Sequence, residues 1–483
     1  MTERQKIAHL YRRLGFGATL AELDAAEKSG LNAAIDRLVD FERQPKLDLE
    51  PAEFVWRDNE EADLSSYRYR LWWISQMLAT PRPLEEKLAL FWHDHFAVSD
   101  SKVEFGPMML DYLRKLRANG AGKFRVLLGE MAQDPALMRF LDMERSVKGR
   151  PNENFAREVM ELFTLGIGKY SEKDVQEAAR CLTGWGYVNT FWEMKGNNTD
   201  KMREALKWDR PFCSFSYLPH LRDRGIKTVL GKTGDLDGDQ LLDMLAAHPA
   251  TASHLARKLW EFFAYPDPEP EVVARIAGVF QKSKGDVRET VRAIAKSKEF
   301  YSARAERALV KCPVDYTVGL LRRLGAGAYL MAERKEPATE SRPIPQAFLD
   351  VPGALAYLMD RQGMALLSPP DVGGWEWGKG WVTAQNMLER INLHGFVVWD
   401  NDGRWARPIW EHMKSVQPVD AKSAARSLSD FLDAGLTETA LEQVAQALDP
   451  HGMVEWISNW DWFRGAMHRG LRVLFAAPEF HLL

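Results

Sequence analysis

Cysteine is scarce. The 483 residues contain three, Cys181, Cys213 and Cys312, far apart in the chain, which excludes a disulfide framework or a cysteine-built zinc site and leaves them as core candidates. No segment approaches the roughly 18 consecutive apolar residues of a membrane-spanning helix, so no span is expected. An excess of one charge is missing too: 64 Lys and Arg face 68 Asp and Glu, a net charge of −4, which gives no bulk attraction to nucleic acid or to an anionic membrane surface. The opening residues, MTERQKIAHLYRRLGFG, lack the apolar stretch of a secretory leader, and the chain as it stands reads as cytoplasmic. A compact calcium motif is also absent. In the acidic run Gly234 to Asp239 the glycine comes early, and the twelfth position from Asp235 is Ala246 rather than a glutamate.

What is present is helical periodicity. Nearly every periodic window fits a repeat of 3.6 residues, so the fold class is expected to be mainly α, a multi-helical body spanning residues 1–483 as one domain. The exceptions are few. Pro211 to Leu230 alternates and suggests a small β-hairpin, residues 187–235 read as an insertion or lid, and 329–344 as a flexible segment. Asn152 to Trp185 reads as a helical hairpin. Phe155, Val159, Leu162 and Phe163 form one apolar stripe, Gly166 and Gly168 supply the stop, and Ser171 with Asp174 opens a second helix whose stripe is Val175, Ala178, Ala179 and Leu182.

Two ionisable residues sit against this logic. Glu158 lies at the edge of the apolar stripe of the first hairpin helix, where burial raises a carboxyl pKa unless a partner holds the charge. His95, in the FWHDHF segment, falls in the middle of the stripe Leu84, Leu88, Phe91 and Trp92, whereas His93 points away by about 200° at helical spacing. The two histidines are therefore not a chelating pair. A buried structural Glu and a satisfied core His are the plain readings; the sharper expectation is that Glu158 and His95 pair across a shared polar pocket, because pairing reduces the desolvation cost of each.

Seventeen tryptophans are many, and Trp375, Trp377 and Trp381 cluster in a proline- and glycine-rich stretch, Ser368 to Trp381. A backbone so irregular needs anchoring, and packing against the Asn152 to Trp185 hairpin is expected. Thr383 then caps a helix with Met387, Leu388 and Ile391 inside and Arg390 flanking them.

Several motifs together resemble a bacterial family, the domain of unknown function catalogued as number eighteen hundred. They are His9 to Gly17, Phe91 to Phe96, Asn152 to Trp185, Lys227 to Gly231, His248 to Ala252, Cys312 to Val314, Ser368 to Trp381 and Ala477 to Phe480, in order and nearly end to end. One motif departs. Where the family has His-Asp-x-Gly-x-Lys, this chain has Arg222-Asp223-Arg224-Gly225-Ile226-Lys227, with a histidine only at His220. The resemblance implies no established activity; it implies export of family members and a partner from a neighbouring gene that resembles sulfatases and alkaline phosphatases.

Two functional classes follow. In the first, His95, Glu158, Asn152, Asp223 and Lys227 meet in one cleft as an acid–base or divalent-metal site of hydrolase type. In the second, the chain is a non-catalytic accessory protein in which Trp375, Trp377, Trp381 and Arg390 recognise a glycan or protein. Dispersed polar motif residues tilt the balance to the enzyme; the want of a compact metal or nucleophile motif tilts it back.

Overall fold

The structure, a computed structural model, describes residues 1–55, 57–58, 61–143, 146–189, 212–334, 344–449 and 454–483. Parts of the expected insertion and of the expected flexible segment, 190–211 and 335–343, lie outside the described residues. The fold is mainly α, as periodicity requires. Among the described residues the strands are short antiparallel pairs: Trp185–Asn189 with Cys213–Tyr217, Lys227–Val229 with Lys232–Gly234, and a two-residue ribbon at Arg57–Asp58 and Glu61–Ala62.

The strand content near 211–230 is divided between two pairings. Cys213–Tyr217 pairs backwards with Trp185–Asn189, while Lys227–Val229 pairs forwards through Leu230 and Gly231, both with positive φ. Two consecutive positive φ angles give the turn whose twist suits a two-residue hairpin.

Buried apolar side chains form one contiguous core running from Ile7 to Phe480. At its centre lies the helix Pro83–His95. Proline at the first position and Glu85 and Glu86 in the first turn suit a helix start, and His93 and His95 occupy its last turn. Twelve of its thirteen residues are buried, which is why its sequence is apolar almost all round. Its polar residues must then find partners inside the protein.

Two further elements face it. The helix Pro249–Phe263 begins on His248, whose Nδ1 accepts from the Ala250 N–H at 3.1 Å; it buries Leu255, Leu259 and Phe263 and carries His254 and Lys258 one turn apart. The hairpin helix Glu153–Met160 starts at Asn152, whose Oδ1 accepts from the Phe155 N–H at 3.0 Å. It runs into a π-helical turn, Glu161–Leu165, closed by the Gly166 N–H to the Glu161 carbonyl at 3.0 Å. Thr164 Oγ1 donates back to the Val159 and Met160 carbonyls. The widened turn leaves the next carbonyls without helical donors, and side chains from elsewhere supply them.

Candidate functional site

The buried polar groups of the Pro83–His95 helix find partners on several elements. Glu86 accepts from Arg117 at 2.6–3.1 Å and from the Trp73 indole N–H at 2.9 Å. Lys87 is ion-paired with Asp315, both nearly inaccessible. His93 Nε2 accepts from the Leu367 N–H at 3.0 Å, so its proton lies on Nδ1, which donates to the Tyr112 hydroxyl at 2.9 Å. Burial brings the His93 pKa down to about 3. Asp94 Oδ1 accepts from the Trp375 N–H at 2.8 Å. His95 Nε2 donates to the Phe163 carbonyl at 3.2 Å, which leaves Nδ1 buried with no partner among the described residues.

The π-turn explains the last contact. Its Phe163 carbonyl takes the His95 proton and its Leu162 carbonyl takes that of His254 Nε2 at 3.3 Å. The two imidazoles lie 6.3 Å apart between ring centroids. Burial, then Lys258, lowers the pKa of His254 to about 4, and that of His95 falls for the same causes with His254 adding to them. Both rings are neutral at physiological pH.

Beside this pair a cavity of about 160 Å³ opens between the two helices. Lys87, Phe91 and Asp94, on one face of the central helix, form one wall; Lys258, Glu261 and Phe262 form the facing one. Asp315, Leu309, Val310, Leu483 and the Trp377-Gly378 corner complete the lining.

Asp94 and Lys258 are the unusual pair. Asp94 is 8% exposed, and burial raises its pKa against the Trp375 N–H, Lys258 and the Trp377 indole. That indole N–H makes no hydrogen bond of its own. Burial lowers the pKa of Lys258, with Asp94 and Glu261 opposing. Among the described residues Lys258 forms no hydrogen bond or ion pair. An acid and an amine are thus both moved toward neutrality inside one small pocket.

The loop carrying the tryptophans docks on this helix. Gly374, at φ +85°, lies so close that a Cβ would sit 2.3 Å from Asp94 Oδ1 and 2.7 Å from its carbonyl. Trp375 packs edge-on against His93 at 5.2 Å and Trp377 against Phe262 at 5.3 Å. Among the described residues no hydrogen bond or ring contact joins this loop to the Asn152 to Trp185 hairpin. The central helix offers the acceptors, His93 Nε2 and Asp94 Oδ1, that the buried N–H groups of Leu367 and Trp375 need.

The residues expected at the site are scattered. His95 stacks on Phe91 of the pocket wall at 6.1 Å between ring centroids but does not line the cavity itself. Glu158 is half-buried, its pKa raised by burial and then by Glu161, and it shares no hydrogen bond or ion pair with His95 among the described residues. The expected pairing is not formed: each group meets the hairpin differently, His95 through the carbonyl that the π-turn exposes. Asn152 is a helix cap whose Nδ2 also donates to the Leu141 carbonyl. Asp223 is clasped by Arg180 at 2.8 and 3.2 Å, which holds its pKa down to about 2. Lys227 Nζ donates to the Gly225 carbonyl and Asp235. None of these four lines the cavity. Trp375 and Trp381 are buried and Trp377 is half-buried. Arg390 is fully buried, donating to Gln362 and to the Lys311 carbonyl, with its guanidinium over Tyr316.

Sequence reasoning passed over Asp94, Lys258 and His254. Lys258 carried a signal: it stands three residues after Leu255 and four before Phe262, on an apolar stripe, the same anomaly that singled out Glu158. Asp94 follows Lys87 and Phe91 at helical spacing but is overshadowed by the flanking histidines. Among the described residues no three His, Cys, Asp or Glu side chains converge as metal ligands. No helix among the described residues is long and apolar enough to cross a membrane.

The family model described as "Protein of unknown function (DUF1800)" matches residues 9–482. No curated protein and no solved structure matches.

Proposed function

The chain belongs to the DUF1800 family of proteins of unknown function, and on that footing we propose an acid–base enzyme of hydrolase type acting in the pocket between the Pro83–His95 and Pro249–Phe263 helices. The observation that carries the reading is the buried, unpaired couple: an amine with lowered proton affinity and a carboxyl with raised affinity lining one cavity. Lys258, its proton affinity lowered by burial, is the base that takes a proton from water as the water attacks, and Asp94, its affinity raised by burial, is the acid that gives a proton to the departing group; proton transfer across the pocket resets both. His95 and His254, neutral and fixed on the π-turn carbonyls, position Lys258 and add no charge.

The burial of Trp375 and Trp381 supports a walling role for the loop better than a recognition platform. Asn152, Asp223, Lys227 and Arg390 support the frame, and Glu158 lies outside the proposed chemistry.

A panel of 4-nitrophenyl acetate, phosphate and sulfate tests the reading. Turnover of one of them is expected, lost by roughly 100-fold or more in Lys258→Met and in Asp94→Asn with the fold intact by circular dichroism. Equal background release by wild type and Lys258→Met on all three overturns it. It would favour an accessory role beside a sulfatase- or phosphatase-like partner.

A further inference from the structure

We propose that Lys258 captures small apolar aldehydes and ketones as an imine, with Asp94 as the acid that removes the carbonyl oxygen; this rests on the reading above of Lys258 as the base of the pocket. Three features of the pocket support it together. First, of the two lysines lining the cavity, Lys87 is locked in an ion pair with Asp315, whereas Lys258 has no hydrogen bond or ion pair among the described residues. Its nitrogen is the amine left free to attack. The charged and titratable groups around it are Asp94 on the central helix, Glu261 and His254 on its own helix, and His95.

Second, Phe91, Phe262, Trp377, Leu309 and Val310 set apolar surface beside the amine and the acid, which suits an apolar carbonyl compound. Third, the size is defined. A cavity of about 160 Å³ is close to the ~150 Å³ that accommodates a benzene ring in an apolar interior. A ligand the size of benzaldehyde matches that volume.

The step balances without any oxidant or reductant. The Lys258 nitrogen lone pair forms the C–N bond while the carbonyl π pair moves to oxygen, which takes the proton of the Asp94 carboxylic acid. The Asp94 carboxylate then removes a proton from nitrogen and returns it to the hydroxyl. Water leaves as the nitrogen lone pair forms C=N. The net change is carbonyl, amine and Asp94 carboxylic acid to protonated imine, Asp94 carboxylate and water, with the cation held beside the carboxylate.

Reductive trapping tests this. Full-length protein is incubated with benzaldehyde and cyanoborohydride at pH 7, and the benzylated lysines are located by peptide mass mapping. Lys258 is expected to be labelled at least about 10-fold faster than any other lysine, since ordinary lysines are almost wholly protonated at that pH. Asp94→Asn is expected to slow that labelling roughly 100-fold, and Lys258→Arg to abolish it while keeping a cation in place. Labelling of Lys258 no faster than surface lysines overturns the proposal. Competitive acetylation by acetic anhydride separates the two readings: a Lys258 that acetylates as a low-affinity amine yet is not trapped by benzaldehyde sinks the imine alone, and one that titrates as an ordinary lysine sinks both. The mapping on wild type identifies the site even if a variant fails to fold.

Discussion

Two charged clusters in this chain treat the same residue types in opposite ways. Around Arg180, the guanidinium donates to Asp223 and to Glu177, Lys227 and Arg222 both reach Asp235, and the Gly225 N–H closes on Asp223. Around Asp94 and Lys258 the acid has a single backbone donor and the amine has none. The proton affinities part accordingly: Asp223 is held down to about 2, whereas Asp94 is pushed up. Pairing drives a carboxyl away from neutrality, and burial without pairing draws acid and amine together toward it. Ionic richness in a motif is thus a poor guide to chemistry, and under-pairing in a pocket a better one.

The largest way to break this contrast is to make the pocket side lose its most deeply buried ion pair. Lys87→Met strands the Asp315 carboxylate in a site where both partners are nearly inaccessible. A loss of about 3–5 kcal/mol is expected. Urea unfolding measures it, and Lys87→Met combined with Asp315→Leu should recover most of the loss. A single-variant loss below about 1 kcal/mol would mean that water reaches the pair and the pocket floor is not dry.

Gly374→Ala comes next. The left-handed backbone alone costs an alanine about 1–2 kcal/mol, and its Cβ would overlap the Asp94 carboxylate and carbonyl, adding a comparable overpacking term. About 3 kcal/mol in total is expected by urea unfolding. A neutral result would show that the loop does not bind Asp94 tightly, and the underpaired acid would then be free to find water.

Much of this was legible in the sequence, for reasons that hold residue by residue. Helical periodicity with a cap at each end identifies the hairpin, from Asn152 through Gly166 to Ser171, and the Pro249 helix. The divergence of His93 and His95 follows from 100° per residue, and they do bond to opposite sides, Tyr112 and Phe163. The π-turn was not legible. It differs from an α-helix by one hydrogen-bond register, and Thr164, whose hydroxyl returns to the freed carbonyls, looks like any threonine in a helix. Nor was the meeting of Asp94 with Lys258, because two helices far apart in the chain declare their apolar faces but not which faces oppose. Wheel position marks Lys258 as a misplaced charge just as it marks Glu158, but not the Asp94 face opposite it.

The acid limb of stability sharpens the comparison at its smaller end, because the two clusters should fail in different pH windows. His254 has a folded pKa of about 4, below its unfolded value near 6.5. Its neutral, buried state therefore contributes fully above pH 6.5, and that contribution falls away as pH drops toward 4, by about 3 kcal/mol. Asp223 is also depressed, but from 3.8 to about 2. Its ion pair contributes above pH 4 and is lost only between there and pH 2, by about 1 kcal/mol, since Arg180 is about a quarter exposed and salt screens the pair. Unfolding free energies of wild type, His254→Gln and Asp223→Asn from pH 8 to pH 2 measure both. The His254→Gln curve should flatten against wild type between pH 6.5 and 4 and run parallel below it, and the Asp223→Asn curve should do so only below pH 4. Coincident windows would mean that the two clusters share one electrostatic environment, and the distinction between a paired surface cluster and an underpaired pocket would fall.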